Sequence, residues 1–517
     1  MVEPWLNCRD ARHESGGNFP ADCGMETTMN HPAAPPLPAP DTAAFLAEAT
    51  ELLGPRGLTT DPERMDTWLT DWRGRYTGRA LALASPASTA EVAALVKLCA
   101  AHRIPIVPQG GNSGMAGGAT PDATGRAILL SLRRMDRIRA LSAEAGQAEC
   151  EAGVILQTLH EAAENAGMRF PLTLGGKGSA TIGGLVSTNA GGTQVLRHGT
   201  MRAQVLGLEA VLASGEVLDL MTPLKKDNRG FDLKQLLIGS EGTLGIVTAA
   251  RLRLLPAPIG RATAWVGLGG IVAAGTLLGR MERALGDALE GFEVVPAHCL
   301  ESVLAHQSDA RSPLAEAHPW NALVECVSPV QDDAALREAL ETALAAALED
   351  GLIADAVIAA SDTQAEAFWA LRDGISAAER ALGPAMQHDI SVPVEAMPEF
   401  ILAAVPEVEA TFPGTRAVAF GHLGDGNVHF HVLAPPGAVR GQWEEAEGKV
   451  VSAKVHDLVT QWGGSISAEH GIGQMKVDEL ARLHDPVALA VMAQVKRALD
   501  PAGLLNPGKL LRTPPQA

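Results

Sequence analysis

At 517 residues the chain is too long for one hydrophobic core, and two or three domains are expected. A net charge of −19 opposes nucleic acid and anionic membrane surfaces as partners, so an anionic substrate has to be met by local cations or a metal. No apolar run is long enough to be a transmembrane segment, and six scattered cysteines (Cys8, Cys23, Cys99, Cys150, Cys299, Cys326) form no CxxC pair, which reads as reduced thiols in a cytoplasmic protein without an Fe–S cluster.

Residues 1–42 read as a disordered tail, rich in Pro and Ala from Asn30 to Asp41 and without the basic start and apolar core of a signal peptide. Met25 and Met29 are alternative starts. Order is expected from Thr42, where Phe45, Leu52 and Leu53 suit a short helix stopped by Gly54-Pro55. Ser88-Thr89-Ala90-Glu91 has the form of a capping box, and Val92, Leu95, Val96 and Cys99 then share one helical face. That helix leads into an apolar strand, Ile104 to Val107, and then into a loop from Pro108 to Pro121 that holds five glycines.

Glycine admits positive φ and lets successive backbone N–H groups face inward, so this loop suits a phosphate or pyrophosphate; the bland alternative is a flexible surface loop. Ala127 to Leu132 and Ala148 to Val154 are predicted strands, and Ile155 to Ala166 a helix. Two further glycine clusters follow, 175–184 continuing to Asn189-Ala190-Gly191-Gly192, and Ile238 to Val247 after the strand-like Val205–Val211 and Val217–Leu220. Clusters of this kind mark tight turns or close approach of a ligand, and three of them suggest one long ligand lying across several loops. The Rossmann spacing is missing, and Gly178 stands where a P-loop needs Ser or Thr, so neither dinucleotide binding of that type nor ATP use is expected.

PQGGNSG, GSATIGG, NAGG and IGSEGTLGIV together resemble the FAD-binding domain of the vanillyl-alcohol-oxidase-type flavoproteins, and in detail the branch of D-2-hydroxyglutarate and D-lactate dehydrogenases. The resemblance implies an α+β fold with a PCMH-type FAD-binding domain (43–256), an α+β substrate or cap domain (257–460) and a C-terminal segment (461–517) that returns to the FAD domain. It puts the FAD pyrophosphate at 110–114. The implied cofactor contacts are Pro108, Gly110, Gly111, Asn112, Ser113, Gly114 and Gly118, then Gly178, Ser179, Thr181, Gly183, Gly184, Asn189 and Gly191, and finally Glu241, Gly242, Gly245, Ile246 and Asn506. Covalent members often use a His in this region, where Gln109 stands here, so FAD is expected to be non-covalent. A homodimer is compatible with the family. An electron-transfer flavoprotein, a quinone or oxygen remains open as acceptor.

After Leu255-Pro256, Ala-rich helical segments (Ala334 to Leu348, Gln364 to Leu382) alternate with short apolar runs such as Ala322 to Val327. Arg372 precedes Ser376 by one helical turn, so both can point the same way. A helix arginine is ordinarily a solvated surface group, but the resemblance aligns Arg372 with the residue that clamps a substrate carboxylate, a task suited to a bidentate guanidinium. His422, His429 and His431 crowd one glycine-rich stretch, and Glu469-His470 precedes another. Two imidazoles and a carboxylate suit a catalytic divalent metal, zinc first, with manganese or iron as alternatives. By resemblance His422, His429 and Glu469 hold that metal, and His470 stands by the substrate hydroxyl as a base titrating near neutrality.

The chain departs from the hydroxyglutarate pattern at Gln387, where those enzymes commonly carry a lysine, and at His431, where they carry an asparagine. Ser376, Gln387 and His431 are nevertheless all polar, so the expected substrate is a D-2-hydroxy acid with a polar tail, hydroxyglutarate before lactate. The alternatives are a D-lactate or other D-2-hydroxy acid dehydrogenase, a metal-independent flavin oxidase and a non-catalytic binding protein. The last run, from Val487 to Leu499, has helical spacing, and the ending through Asn506 is expected to fold back near the flavin.

Overall fold

The helix announced by the capping box forms over Thr89–His102, with Ser88 accepting from the Glu91 N–H. Glu91 reaches back one residue further than the motif prescribes, to the Ala87 N–H. The computed structural model describes residues 41–222 and 224–512, so the expected tail lies outside the described residues up to position 40. Asp41 caps the first helix, Thr42–Gly57, which is broken at Gly54 (φ 66°) and resumes for one turn through Pro55 rather than stopping there.

The N-terminal half holds two small sheets. One has four strands, in which Ile106–Gln109 and Leu83–Ala84 flank Ile128–Ser131 in parallel. The other is a five-stranded antiparallel sheet centred on Ile246–Arg253. The predicted strands appear as Ile128–Ser131 and Gln147–Glu151, and the predicted helix as Leu156–Asn165. The glycine loop leaves the end of Ile106–Gln109 and closes on the 175–184 cluster. A Cβ at Gly111 would lie 1.6 Å from the Ser179 carbonyl oxygen, so only glycine permits that approach.

The second half is built on a seven-stranded antiparallel sheet in the order Asp355–Ile358, Gly260–Leu268, Trp320–Ser328, Leu289–Pro296, Arg416–His422, Asn427–Leu433, Ala385–Ser391. Strand side chains alternate between faces, and the register sorts them. One face buries Val294, Ala419, Val428, Phe430, Val432 and Ile390 against helices that include Met397–Thr411 and Lys449–Gln461. The other face carries Glu293 opposite His422, Phe420 opposite His429, and His431 opposite Gln387. Part of it is roofed by helices Ala297–His306, Asp362–Asp373 and Ile375–Leu382. The last two were expected as one helix. They meet at Gly374, where a Cβ would come within 2.6 Å of Gln307 Nε2.

Two of the ties between the halves lie away from the polar face. After helix Pro486–Leu499 the chain returns to the first sheet: the Ile106 N–H donates to Leu504 O, and the Asn506 N–H donates to Ile106 O. On the opposite side Arg169 donates to both oxygens of Glu290 (2.6 and 2.7 Å), and Arg197 donates to the same carboxylate at 3.1 Å. Burial opposes ionisation of Glu290, but His198 and Arg169 hold its pKa down to about 2. A depressed carboxyl pKa stabilises the fold above the ordinary carboxylate range, and that stabilisation is lost as pH falls toward 2. Arg169→Ala is therefore expected to lower stability at pH 7 by about 3 kcal/mol, because it leaves a buried charge short of a partner. Denaturant unfolding of both proteins between pH 7 and pH 3 checks this: the gap must narrow as pH falls, and a gap independent of pH would refute the assignment.

Candidate active site

Strand register alone puts most of the polar cluster on one face. Glu293, buried on Leu289–Pro296, accepts from Arg372 Nε (2.9 Å) and lies 2.5 Å from His422 Nδ1. Arg372 reaches it from the end of the helix Asp362–Asp373, with its guanidinium over the Phe420 ring (5.6 Å) and Nη2 3.1 Å from His422 Nε2. Burial works against the Glu293 anion, but Arg372 and His422 outweigh it and keep the carboxyl well below the usual range. Burial likewise penalises a protonated His422, yet Glu293 raises its pKa to about 9. His429 is neutral, since burial and the charges of Arg372 and His422 disfavour its cation. His431 makes a close contact through Nδ1 with the buried Glu379.

The Glu469-His470 pair arrives on a loop after helix Lys449–Gln461, held by one carboxylate. Asp389 Oδ2 accepts the backbone N–H groups of Glu469 (2.8 Å) and His470 (2.9 Å), while Oδ1 accepts from Asn427 Nδ2 (2.9 Å). His470 Nδ1 lies 3.6 Å from the same Asp389. Burial, assisted by Lys476, Arg73 and His431 and opposed by Asp389, lowers the His470 pKa to about 4. It is thus a neutral imidazole at physiological pH rather than a group titrating near neutrality. Burial and the Asp389 charge push Glu469 up to about 7. A buried carboxyl so unfavourably placed for ionisation fits a site completed by a cation.

The donor set fits a divalent metal on the same grounds. Ligand atoms of His422, His429 and Glu469 lie within 4.8 Å of one another, and those of Asp389, Glu469 and His470 form a second such group. Gly191 has a role here that its motif did not reveal: a Cβ would come 2.8 Å from Glu469 Oε1. Glu469, Asn189 and Glu241 line a cleft of 620 Å³ between the N-terminal half and the loop.

The N-terminal half supplies a cradle that fits a flavin dinucleotide. Side chains placed at Gly114, Gly175 or Gly178 would meet no atom within 4 Å, so this backbone is bare on its open side. Gln109 Oε1, Thr181 Oγ1 and Asn506 Oδ1 are buried without hydrogen-bond partners among the described residues. Gln109 is otherwise held in place, its Nε2 donating to Trp68 O and Ala119 O (both 3.0 Å). Two residues expected among the cofactor contacts also have structural roles. Glu241 accepts the N–H groups of Ile472 (2.8 Å) and Gly473 (2.7 Å), and Asn506 Nδ2 donates to Gly118 O and Glu241 O.

Arg372, His422, His429, His431, Gln387, Glu469 and His470 therefore lie at one face of the seven-stranded sheet, and Ser376 lies one turn beyond Arg372 across the Gly374 junction. Glu293, Glu379, Asp389 and Arg73 were missed. None of the four stood out locally: Glu293 shares its strand with Glu290, Asp389 sits among the polar residues of Ala385–Ser391, and Glu379 and Arg73 lie near other charges.

Residues 258–510 match the family model of FAD linked oxidases, C-terminal domain, and residues 80–221 match that of an FAD binding domain. A probable mitochondrial D-2-hydroxyglutarate dehydrogenase of Oryza sativa subsp. indica is 38% identical over 485 residues, covering 93% of this chain and 84% of that one. The D-2-hydroxyglutarate dehydrogenase of Xanthomonas citri pv. viticola is 37% identical over 456 residues, covering 88% and 94%. Among solved structures, substrate-bound p-cresol methylhydroxylase superposes with a TM-score of 0.69 at 15% identity, covering 90% of this chain and 96% of that one, which attests the fold. With the cradle and the polar cluster both in place, the chain belongs to the FAD-linked oxidase family, among relatives that are D-2-hydroxyglutarate dehydrogenases.

Proposed function

We propose that the protein oxidises D-2-hydroxyglutarate to the corresponding 2-oxo diacid, using non-covalent FAD and a divalent metal, zinc before manganese or iron. The observation that carries this reading is the convergence of His470, Arg372 and the His422–His429–Glu469 set over one face of one sheet. When bound, FAD supplies the two-electron acceptor and the metal a Lewis acid. The chain's own residues do the rest. Arg372, anchored through Nε on Glu293, makes no hydrogen bond through Nη1 among the described residues and can clamp the substrate 1-carboxylate with it. His470, its loop fixed by Asp389, takes the hydroxyl proton. The free, buried thiols Cys99, Cys150, Cys299 and Cys326 agree with a reducing compartment such as the cytoplasm, and no helix among the described residues is long and apolar enough to cross a membrane.

A panel of D- and L-2-hydroxy acids with a dye acceptor tests the substrate class. Turnover should favour D-2-hydroxyglutarate, fall on chelation and return with zinc or manganese. Activity indifferent to chelator would leave a metal-independent flavin oxidase. His422→Ala and Glu469→Ala should lose bound metal while retaining FAD, and His470→Gln should lower kcat ~10²–10⁴-fold with both retained. Full metal content in either of the first two variants would refute the ligand set.

Gln109 offers no nucleophile to the flavin, so the purified protein should be yellow and denaturation should move all its FAD into the supernatant. Flavin that stays with the denatured chain would show a covalent bond instead.

A further inference from the structure

One cation in the site, Arg73, comes from the N-terminal half of the chain. Arg73 sits in a turn of the N-terminal half closed by Asp71, whose carboxylate accepts the backbone N–H groups of Tyr76 (2.6 Å) and Arg73 (3.2 Å). Asp71 is thereby committed to backbone, and the Arg73 guanidinium has no carboxylate within 4.0 Å among the described residues. Its Nη1 instead donates to Gln387 Oε1 across the domain boundary, and Nε approaches Met115 Sδ at 3.3 Å. Partial burial and the like charges of Arg75 and Arg380 lower its pKa to about 10. A partly buried guanidinium beside other cations, with only a neutral amide to bind, is short of an anion.

Gln387 shows the same deficit. Its Oε1 is held by Arg73, which fixes the orientation of the amide, and its Nε2 is buried with no partner among the described residues. Gln387 stands directly opposite His431 in the register, on the face that carries His429 and Asp389. Arg73 is also close enough to bear on the charge of His470. The unmet donors of both residues therefore lie at the edge of the reaction site, away from Arg372.

We propose that Arg73 and the Gln387 amide together receive the distal carboxylate of a dicarboxylic 2-hydroxy acid, so that selectivity for the diacid is supplied by the N-terminal half in place of a lysine at position 387. The inference rests on the substrate reading above. A carboxylate has two oxygens to accept from both donors, and a charge-assisted hydrogen bond is about twice as strong as a neutral one. A monoacid of the same length leaves the guanidinium without its anion and the Nε2 donors unsatisfied.

Initial rates on D-2-hydroxyglutarate and on D-2-hydroxyvalerate, its five-carbon match without the second carboxylate, test this directly. Arg73→Met should reduce the kcat/KM ratio of diacid over monoacid about 10- to 100-fold, chiefly through KM for the diacid. Gln387→Lys added to Arg73→Met should restore most of the ratio, which a purely structural role for Arg73 would not allow. Gln387→Leu, which leaves the N-terminal turn intact, should lower the ratio by about tenfold and serves where Arg73→Met fails to fold. An unchanged ratio, or equal losses on both substrates without rescue, overturns the inference while D-2-hydroxyglutarate stands as substrate. A wild-type enzyme that prefers the monoacid overturns the substrate reading, and the inference with it.

Discussion

The catalytic loop is suspended between two buried carboxylates. Asp389, on the second-half sheet, accepts the N–H groups of Glu469 and His470, while Glu241, on the N-terminal half, accepts those of Ile472 and Gly473. Both are 8% exposed or less, so each would be costly to leave unpaired, and the loop's backbone amides are what satisfy them. Their positions therefore fix the loop from both ends within five residues. The glycines at 471 and 473 have φ of 73° and 54°, and a Cβ on Gly471 would come 2.9 Å from Glu241 Oε1. The turn, the close approach and the two anions form one device that sets His470 and Glu469 against the sheet.

The charge pattern around that device resolves an apparent conflict. A chain with a net charge of −19 handles an anionic substrate by concentrating cations where the sheet face is exposed to the N-terminal half. Arg372 is neutralised in part by Glu293, which also orients His422, whose Nε2 lies 3.1 Å from Arg372 Nη2. Burial keeps His429 and His470 neutral, so neither adds to the positive charge, and both retain lone pairs for a metal or a proton. The site thus holds Arg372 charged for binding while His429 and His470 stay neutral for chemistry.

The glycine clusters and the histidine-rich stretch were legible because they are local: several unusual residues fall within one turn or strand. The strands around them were legible from apolar runs, and Thr89–His102 from its cap. What was hidden depended on register. Glu293 is one of two acids in its strand, and nothing local says that it, rather than Glu290, lies opposite His422. Glu379 and Asp389 are hidden for the same reason. Gly191 sat in a motif read as cofactor contact, yet the atom nearest its missing Cβ belongs to Glu469, 278 positions later in the chain. For His470 the difference is of another kind: residue type gives an ordinary pKa, and burial, which sequence does not report, lowers it to about 4.

The functional groups come from several segments, and because Arg73 and the Glu241 anchor belong to the N-terminal half, the complete site requires the halves to be docked. Asp389 and the histidines are placed by the second-half sheet, the loop is anchored partly on Glu241, and Arg73 enters from the 71–76 turn. Docking is secured elsewhere, by the Arg169–Glu290 pair on one side and by the parallel bridge of Leu505 to Ile106 on the other. These contacts are remote from the reacting groups in chain position but control their spacing, and a displacement of about 1 Å is enough to cost two orders of magnitude in rate. The burial of Glu290 is consistent with that role. An exposed ion pair would be screened and compliant, whereas a buried, doubly bonded carboxylate tolerates little movement of the strand that carries Glu293 three residues later.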